Sequence, residues 1–312
     1  MLTITKIYSI MFKNMFFAAF VLLAATSCSN ESVNGAENAV ESQQVLAPVT
    51  VTVSGFAVSQ EEFSGGTTRA AQDAAEYSGV KSLTLAFYRG ATETYKVTQT
   101  KDALDADDTF GEFSLSLPMG SYMMVVIGHG INTGEPAITL TNPTSATFGD
   151  KPVRETFVTT QTVNISNTDA VDISATLNRV VSKLKVVSSD TRTNPAYSVR
   201  MTFAAGGKSF NPTTGLATVN TGFSNAIDIS YAVGSASQSN SYLFLATDEQ
   251  TMDVTIETLD EDGNAVFSKL VEDVPFKRNR VTKLTGAMYT NNSVSGGFQV
   301  ETDWLDEYDD TF

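Results

Sequence analysis

Val171-Asp-Ile-Ser-Ala-Thr-Leu-Asn-Arg-Val-Val-Ser-Lys-Leu-Lys-Val186 holds two apolar rows that are out of step. Val171, Ile173, Ala175 and Leu177 share one phase of a period-two pattern, whereas Val180, Leu184 and Val186 take the other. Alternate residues of a strand point to opposite faces, so a one-residue slip sends the apolar set to the other side of the sheet. The flip at Asn178-Arg179 therefore predicts a bulge, a bend, or a strand passing from one core to a second. We take it as a domain boundary. The same period recurs at Ser82–Tyr88, Glu112–Leu117, Tyr122–Ile127, Thr156–Ile165, Met252–Leu259 and Ala265–Val271. No stretch shows a three-turn helical pattern, and many short strands separated by turn residues predict an all-β chain of sandwich type. Asp262-Gly263 predicts a tight hairpin because Asp-Gly accepts positive φ at low cost, and Pro118-Met119-Gly120 is short enough to make another.

Upstream, Val49, Val51 and Val53 alternate with Thr50, Thr52 and Ser54, as expected of a half-buried strand. Before that strand, Ser29 to Gln44 is polar and aperiodic and reads as a tether. The start of the chain reads as an address. Lys6 and Lys13 precede the apolar run Met15–Ala25, which matches a signal-peptide core and is too short to span a bilayer as a helix. Thr26-Ser27 then leads into Cys28, the single cysteine. Small residues followed at once by cysteine resemble the lipobox of bacterial lipoproteins, in which the thiol is acylated and the leader cut away. Ala25 stands where that motif usually carries a larger aliphatic residue. The expected divisions are a leader at 1–27, a tether at 28–47, a first sandwich at 48–178 with a removable segment at 48–69, and a second sandwich at 179–312. Loss of the leader removes two lysines and no acids, taking the formal net charge from −15 to −17. So acidic a chain argues against nucleic acid, whose phosphates need clustered Lys and Arg.

Catalytic chemistry has little to stand on. His129 is the single histidine, flanked by glycines in Ile127-Gly-His-Gly130 and read as a loop residue. It cannot build a histidine-based metal cluster, and no Gly-x-Ser-x-Gly elbow accompanies it. Asp102, Asp105, Asp107 and Asp108 do not follow the alternate spacing of an EF-hand loop. Paired carboxylates for glycoside hydrolysis need only converge in space, so that possibility stays open from sequence. The expectation is a non-enzymatic protein with no metal and no cofactor.

Several segments, taken in order, resemble the fimbrillins of Bacteroidales, the FimA- and Mfa-type fimbrial subunits. They are Val80-Lys-Ser-Leu-Thr-Leu-Ala-Phe-Tyr-Arg-Gly90, Leu117-Pro-Met-Gly-Ser-Tyr-Met-Met-Val-Val126, Leu177-Asn-Arg-Val-Val-Ser-Lys-Leu-Lys-Val186 and Phe276-Lys-Arg-Asn-Arg-Val-Thr-Lys-Leu-Thr-Gly286, with Trp304 near the C-terminus. The resemblance implies two transthyretin-like β-sandwich domains in tandem, and export to the outer membrane surface as a lipoprotein held through Cys28. It further implies cleavage by an arginine-specific protease, which would fall at Arg69-Ala70, and assembly with other fimbrial subunits by strand exchange. Such a cut would release the strand of Val49, Val51 and Val53 and leave a groove. Phe298, Val300, Thr302 and Trp304 share one face at period two. They form either a donor strand for such a groove or the last core strand of their own domain. A lipid-retaining anchor, a tip subunit, or a surface lipoprotein binding glycan or host protein are the alternatives.

Overall fold

The computed structural model describes residues 45–57, 73–290 and 297–305, and of 302–305 only the backbone. Cys28, Arg69 and Ala70 lie outside the described residues, as do the leader and most of the tether. In chain order the strands of the N-terminal part are β1 (Leu46–Ala57), β2 (Ser82–Arg89), β3 (Thr92–Thr100), β4 (Glu112–Pro118), β5 (Gly120–His129), β6 (Thr139–Asn142), β7 (Ser145–Thr147), β8 (Thr156–Ile165) and β9 (Val171–Arg179). Those of the C-terminal part are β10 (Ser182–Ser188), β11 (Ser198–Phe203), β12 (Ser209–Phe210), β13 (Phe223–Asp228), β14 (Gln238–Leu243), β15 (Glu249–Leu259), β16 (Ala265–Lys277), β17 (Val281–Gly286) and β18 (Gln299–Leu305). The described helical structure is a single 3₁₀ turn, Lys101–Ala103. The fold is all-β, and no described helix is long and apolar enough to cross a membrane.

The two parts repeat one topology. The N-terminal part orders its strands β3-β2-β5-β8 and β9-β1-β4, joined through β8 and β9 into one seven-stranded sheet. The C-terminal part orders its strands β13-β11-β15-β16 and β14-β10-β17-β18. In each, the first strand pairs antiparallel on one side, β1 with β4 and β10 with β14. On its other side it pairs parallel, β1 with β9 and β10 with β17. The seven-stranded sheet cannot be flat, because Val49, Val51 and Val53 share one core with Leu83, Leu85, Phe87, Met124 and Val126. It folds over where β8 meets β9, which pair only at Phe157↔Arg179 and Val158↔Asn178. The second part builds an equivalent core from Leu184, Val186, Val199, Met201, Val254, Ile256 and Leu284.

The elements outside the repeat clasp the two parts together. β6 and β7 from the first and β12 from the second form a small sheet, with Ser209↔Thr147 and Phe210↔Ala146 as its cross-connection. Beneath it lies a third apolar cluster drawn from both parts, including Tyr88, Ile127, Val158, Val180, Val181, Phe210 and Phe244. Phe244 is fully buried and stacks on Phe210 at 4.4 Å. The two parts accordingly form one compact unit among the described residues. Truncating a buried Phe costs about 3–5 kcal/mol. Phe244→Ala is expected to lower the melting of both parts together in one transition, which calorimetry would show; two separated transitions would contradict the clasp.

Two local expectations change. Asp262-Gly263 does turn β15 into β16, with Gly263 at φ +83° and Asp260 N–H donating to Asn264 O. Pro118-Met119-Gly120 is not a hairpin, because β4 pairs with β1 while β5 pairs with β2 and β8. The chain passes there from one layer to the other. Arg89 fills the bend: its Nη2 donates to Met119 O and Tyr122 Oη at 2.6 Å each. A Cβ on Gly120 would fall 2.5 Å from Nη2, so the bend takes glycine.

His129 is not a loop residue. It closes β5 and is 1% exposed. Ile138 N–H donates to Nε2 at 3.1 Å, so Nε2 carries no proton and Nδ1–H donates to Gly130 O at 2.7 Å. Burial holds the imidazole pKa below its usual 6.5, aided by the charge of Arg154, while the Gly130 contact and Glu135 pull the other way. The unfolded chain therefore takes up this proton more readily than the folded one. Stability from His129 is full above pH 6.5 and declines as pH falls below it toward the folded value. Melting temperatures across pH 7.5 to 5 are expected to fall more steeply for the native chain than for His129→Asn; parallel curves would contradict this.

Candidate functional site

β1 sits in a groove between β4 and β9 that no other described strand closes. Its burial alternates, with Ala47, Val49, Val51, Val53 and Phe56 between 0% and 4% exposed. The opposite side chains, Pro48, Thr50, Thr52 and Ser54, are half-buried or exposed. β-branched valines suit this place because they pack well on a pleated, half-buried surface. A bulge between Val53 and Gly55 shifts the register against β9 and turns Phe56 inward. There its ring meets Tyr77 at 5.4 Å and Phe157 at 4.9 Å. Full burial of Val or Phe is worth roughly 1.5–3 kcal/mol each. β1 thus contributes several kcal/mol to the first core before its ladder bonds are considered.

The ladder makes the neighbours depend on β1. Leu46 to Thr52 pair with β4 from Pro118 to Glu112, and Val49 to Ala57 pair with β9 from Val171 to Asn178. Among the described strands β4 has no other neighbour, and β9 has only its short contact with β8. Val53 N–H also donates to Gly111 O at 2.8 Å. Gly111 takes φ +95°, where a side chain would be strained. Removing β1 would strip β4 of its sheet and open the core along one side. In the second part β10 holds the matching place, but it follows β9 directly through Val180 and Val181 and cannot leave alone.

A buried ion pair sits at the far end of this groove. Arg179, at the phase flip, ends β9 with its side chain 1% exposed, 2.7 Å from Glu155. Tyr77 Oη donates to Glu155 Oε1 at 2.7 Å, and Arg179 donates to Tyr77 Oη at 3.1 Å and to Asn279 Oδ1 at 3.0 Å. The guanidinium lies over the Phe157 ring, 4.8 Å from its centre. Burial and the Glu155 charge push the Tyr77 hydroxyl well above its usual pKa, so it stays a donor. Gly79 leaves room for this network, since a Cβ there would lie 2.3 Å from Glu155 Oε2. The network joins both parts. Beside it opens a cleft of about 550 Å³ lined in part by Ala57, Asn178, Thr213 and Arg278. Its cations are paired, Arg278 with Asp248 at 2.7 Å and Lys277 with Glu249 at 2.9 Å.

The other residues singled out in the sequence lie apart from β1. Phe298 and Val300 flank the start of β18, half-buried against the second core, and β18 is the outer strand beside β17. The side chains of Thr302 and Trp304 are outside the described residues. Among the described residues no group of three or more His, Cys, Asp or Glu is placed to hold a metal. The sequence marks β1 by its period-two pattern and Arg179 only as the point of a phase flip; no local pattern ties Glu155, Tyr77 or Asn279 to Arg179.

The fold and groove define a two-repeat β-sandwich protein whose first described strand fills one side of the first core. Residues 43–311 match the family of unknown function DUF6562, and the chain belongs to that family. No curated protein matches it. Among solved structures it is similar to the fimbrial anchor protein Mfa2 of Porphyromonas gingivalis, at 13% identity and TM-score 0.45 over 83% of this chain and 98% of that one. It is also similar to a candidate adhesin of Bacteroides ovatus, at 11% identity and TM-score 0.49 over 81% and 96%. A fimbrial assembly protein of Parabacteroides distasonis follows, at 12% identity and TM-score 0.37 over 82% and 94%. Likenesses of this depth carry no argument about function.

Proposed function

We propose that this chain is a non-enzymatic structural subunit of a surface fimbria, delivered to the outer membrane as a lipoprotein through Cys28 and assembled by strand exchange. The observation that carries this reading is the seat of β1, a strand whose loss leaves β4 without its described partner and opens the groove that Val49, Val51 and Val53 fill. An arginine-specific cut at Arg69-Ala70 would free β1 together with the tether and its lipid. Tyr77, seven residues beyond Ala70, stays pinned to Glu155 and Arg179, so the new end of the chain would be held while the groove opens. An extended strand from another subunit would then fill the groove by β-augmentation, with backbone bonds supplying affinity and alternate side chains supplying fit. The resemblance of the sequence segments to fimbrillins supports the same reading. N-terminal sequencing of protein in isolated surface fibres tests it. Fibres containing the chain from Ala70 are expected; a chain starting at acylated Cys28 would make it an anchor, and absence from fibres would overturn the fimbrial assignment.

A further inference from the structure

The internal repeat exposes a difference between the two parts. In the C-terminal part β18 covers the outer edge of β17, antiparallel, from Thr285↔Gln299 to Val281↔Leu305. In the N-terminal part the matching strand is β9, and beyond Val158↔Asn178 no described strand pairs with its outer edge. Residues 171–177 therefore present an open edge at a position where the fold demonstrably accepts one more antiparallel strand.

Open edges are usually guarded by charge, proline or a bulge. β3, another edge, carries Glu93 and Lys96 and is bulged at Thr94, opposite Phe87 and Tyr88 of β2. β16 carries Lys269, Glu272, Pro275 and Asp273, the last at φ +55°. The open stretch of β9 has no lysine, no proline and one charge, Asp172, and its exposed side chains are Asp172, Ser174 and Thr176. Ala175 O faces β1, where it accepts from Ser54 Oγ at 3.3 Å. Because peptide groups alternate in direction along a strand, those of Asp172, Ser174 and Thr176 face the open side.

We propose that this edge is a homotypic interface: β9 pairs antiparallel with β9 of a second copy about a two-fold axis at Ser174. The sequence is self-complementary in that register, with Ser174 opposite Ser174, Asp172 opposite Thr176 and Ile173 opposite Ala175. No like charges meet across the pair. Three residues each offering N–H and C=O give about six ladder bonds, and two-fold pairing uses the same patch on both copies. β1 stays in place, so this interface needs no cleavage and is independent of the strand exchange proposed above. β18 of a second copy is a poorer occupant, because leaving β17 would uncover an equal edge there.

The test uses the full, uncut chain in sedimentation equilibrium at 0.15 M salt. The native chain is expected to dimerise. Ser174→Lys and Ser174→Glu each place two like charges at the axis and are expected to weaken the dimer at least tenfold while leaving the melting of the monomer, read at high dilution, unchanged, since the side chain is exposed. An equimolar mixture of the two variants is expected to recover a heterodimer. A native chain that stays monomeric, single variants that dimerise as well as the native chain, or a mixture that fails to recover would each overturn the proposal.

Discussion

A chain beginning at Ala70 is expected to bind a synthetic peptide of residues 45–57 and to regain from it most of the stability lost with β1. The expectation follows from the alternate burial of Ala47, Val49, Val51 and Val53 and from the two ladders that β1 alone supplies to β4 and most of β9. Binding to the folded state only would raise stability by about 2.7 kcal/mol at a hundredfold excess over Kd. The effect should depend on the inward face. A peptide with Val51→Asp would bury an unpaired carboxylate where Val51 is 0% exposed, costing several kcal/mol, and is expected not to bind. A peptide with Pro48→Asp alters an exposed position and is expected to bind nearly as well as the native one. Direction matters too, because β1 runs parallel to β9, so a peptide of reversed sequence presents its side chains in the wrong order. Equal binding of the Val51→Asp and native peptides would show that the groove is not read through its pockets.

The second large effect is expected at Arg179. Arg179→Ala leaves Glu155 buried with Tyr77 as its remaining side-chain donor among the described residues, and breaking a buried pair by removing one partner costs about 3–5 kcal/mol. For a chain of this size that corresponds to a fall in Tm of roughly 5–9 °C. Replacing both members, Arg179→Met with Glu155→Gln, removes the uncompensated charge and keeps an acceptor for Tyr77, so most of the loss should return. A single variant within 1 kcal/mol of the native chain would mean the pair contributes little to holding the two parts at the junction.

Much of the strand pattern was legible in the sequence because a half-buried strand leaves a period-two trace. Val49-Val51-Val53 and the phase flip at Asn178-Arg179 are both of that kind, and each marks a structural event: a strand filling a core, and the passage from β9 to β10. Asp262-Gly263 was legible because its turn is set by local backbone preference. What was not legible depends on partners distant in the chain. Pro118-Met119-Gly120 has the length of a hairpin, yet which strands pair is decided by the cores on either side. Glu155 and Tyr77 meet Arg179 only in the folded molecule, and the glycines around His129 suggested a loop although the ring is buried in hydrogen bonds. The internal repeat leaves no repeated sequence, because topology is preserved there through residues as different as Val49 and Leu184; that both sandwiches share one fold is expected only from the family resemblance. The clasp of β7 and β12 escaped for a related reason, since two- and three-residue strands leave no periodicity to read.

The displaceability of β1 is tested most directly by trimming the purified chain with an arginine-specific protease and running the product, unheated, on a denaturing gel. Once the cut frees β1, an incoming strand would bury a core face in each neighbour, and an interface of that kind resists detergent. A ladder of SDS-resistant polymers beginning at Ala70, absent from an Arg69→Ala control, is the predicted result. A protein trimmed at Arg69 that remains monomeric, with β1 gone and the groove unfilled, would contradict assembly through this groove.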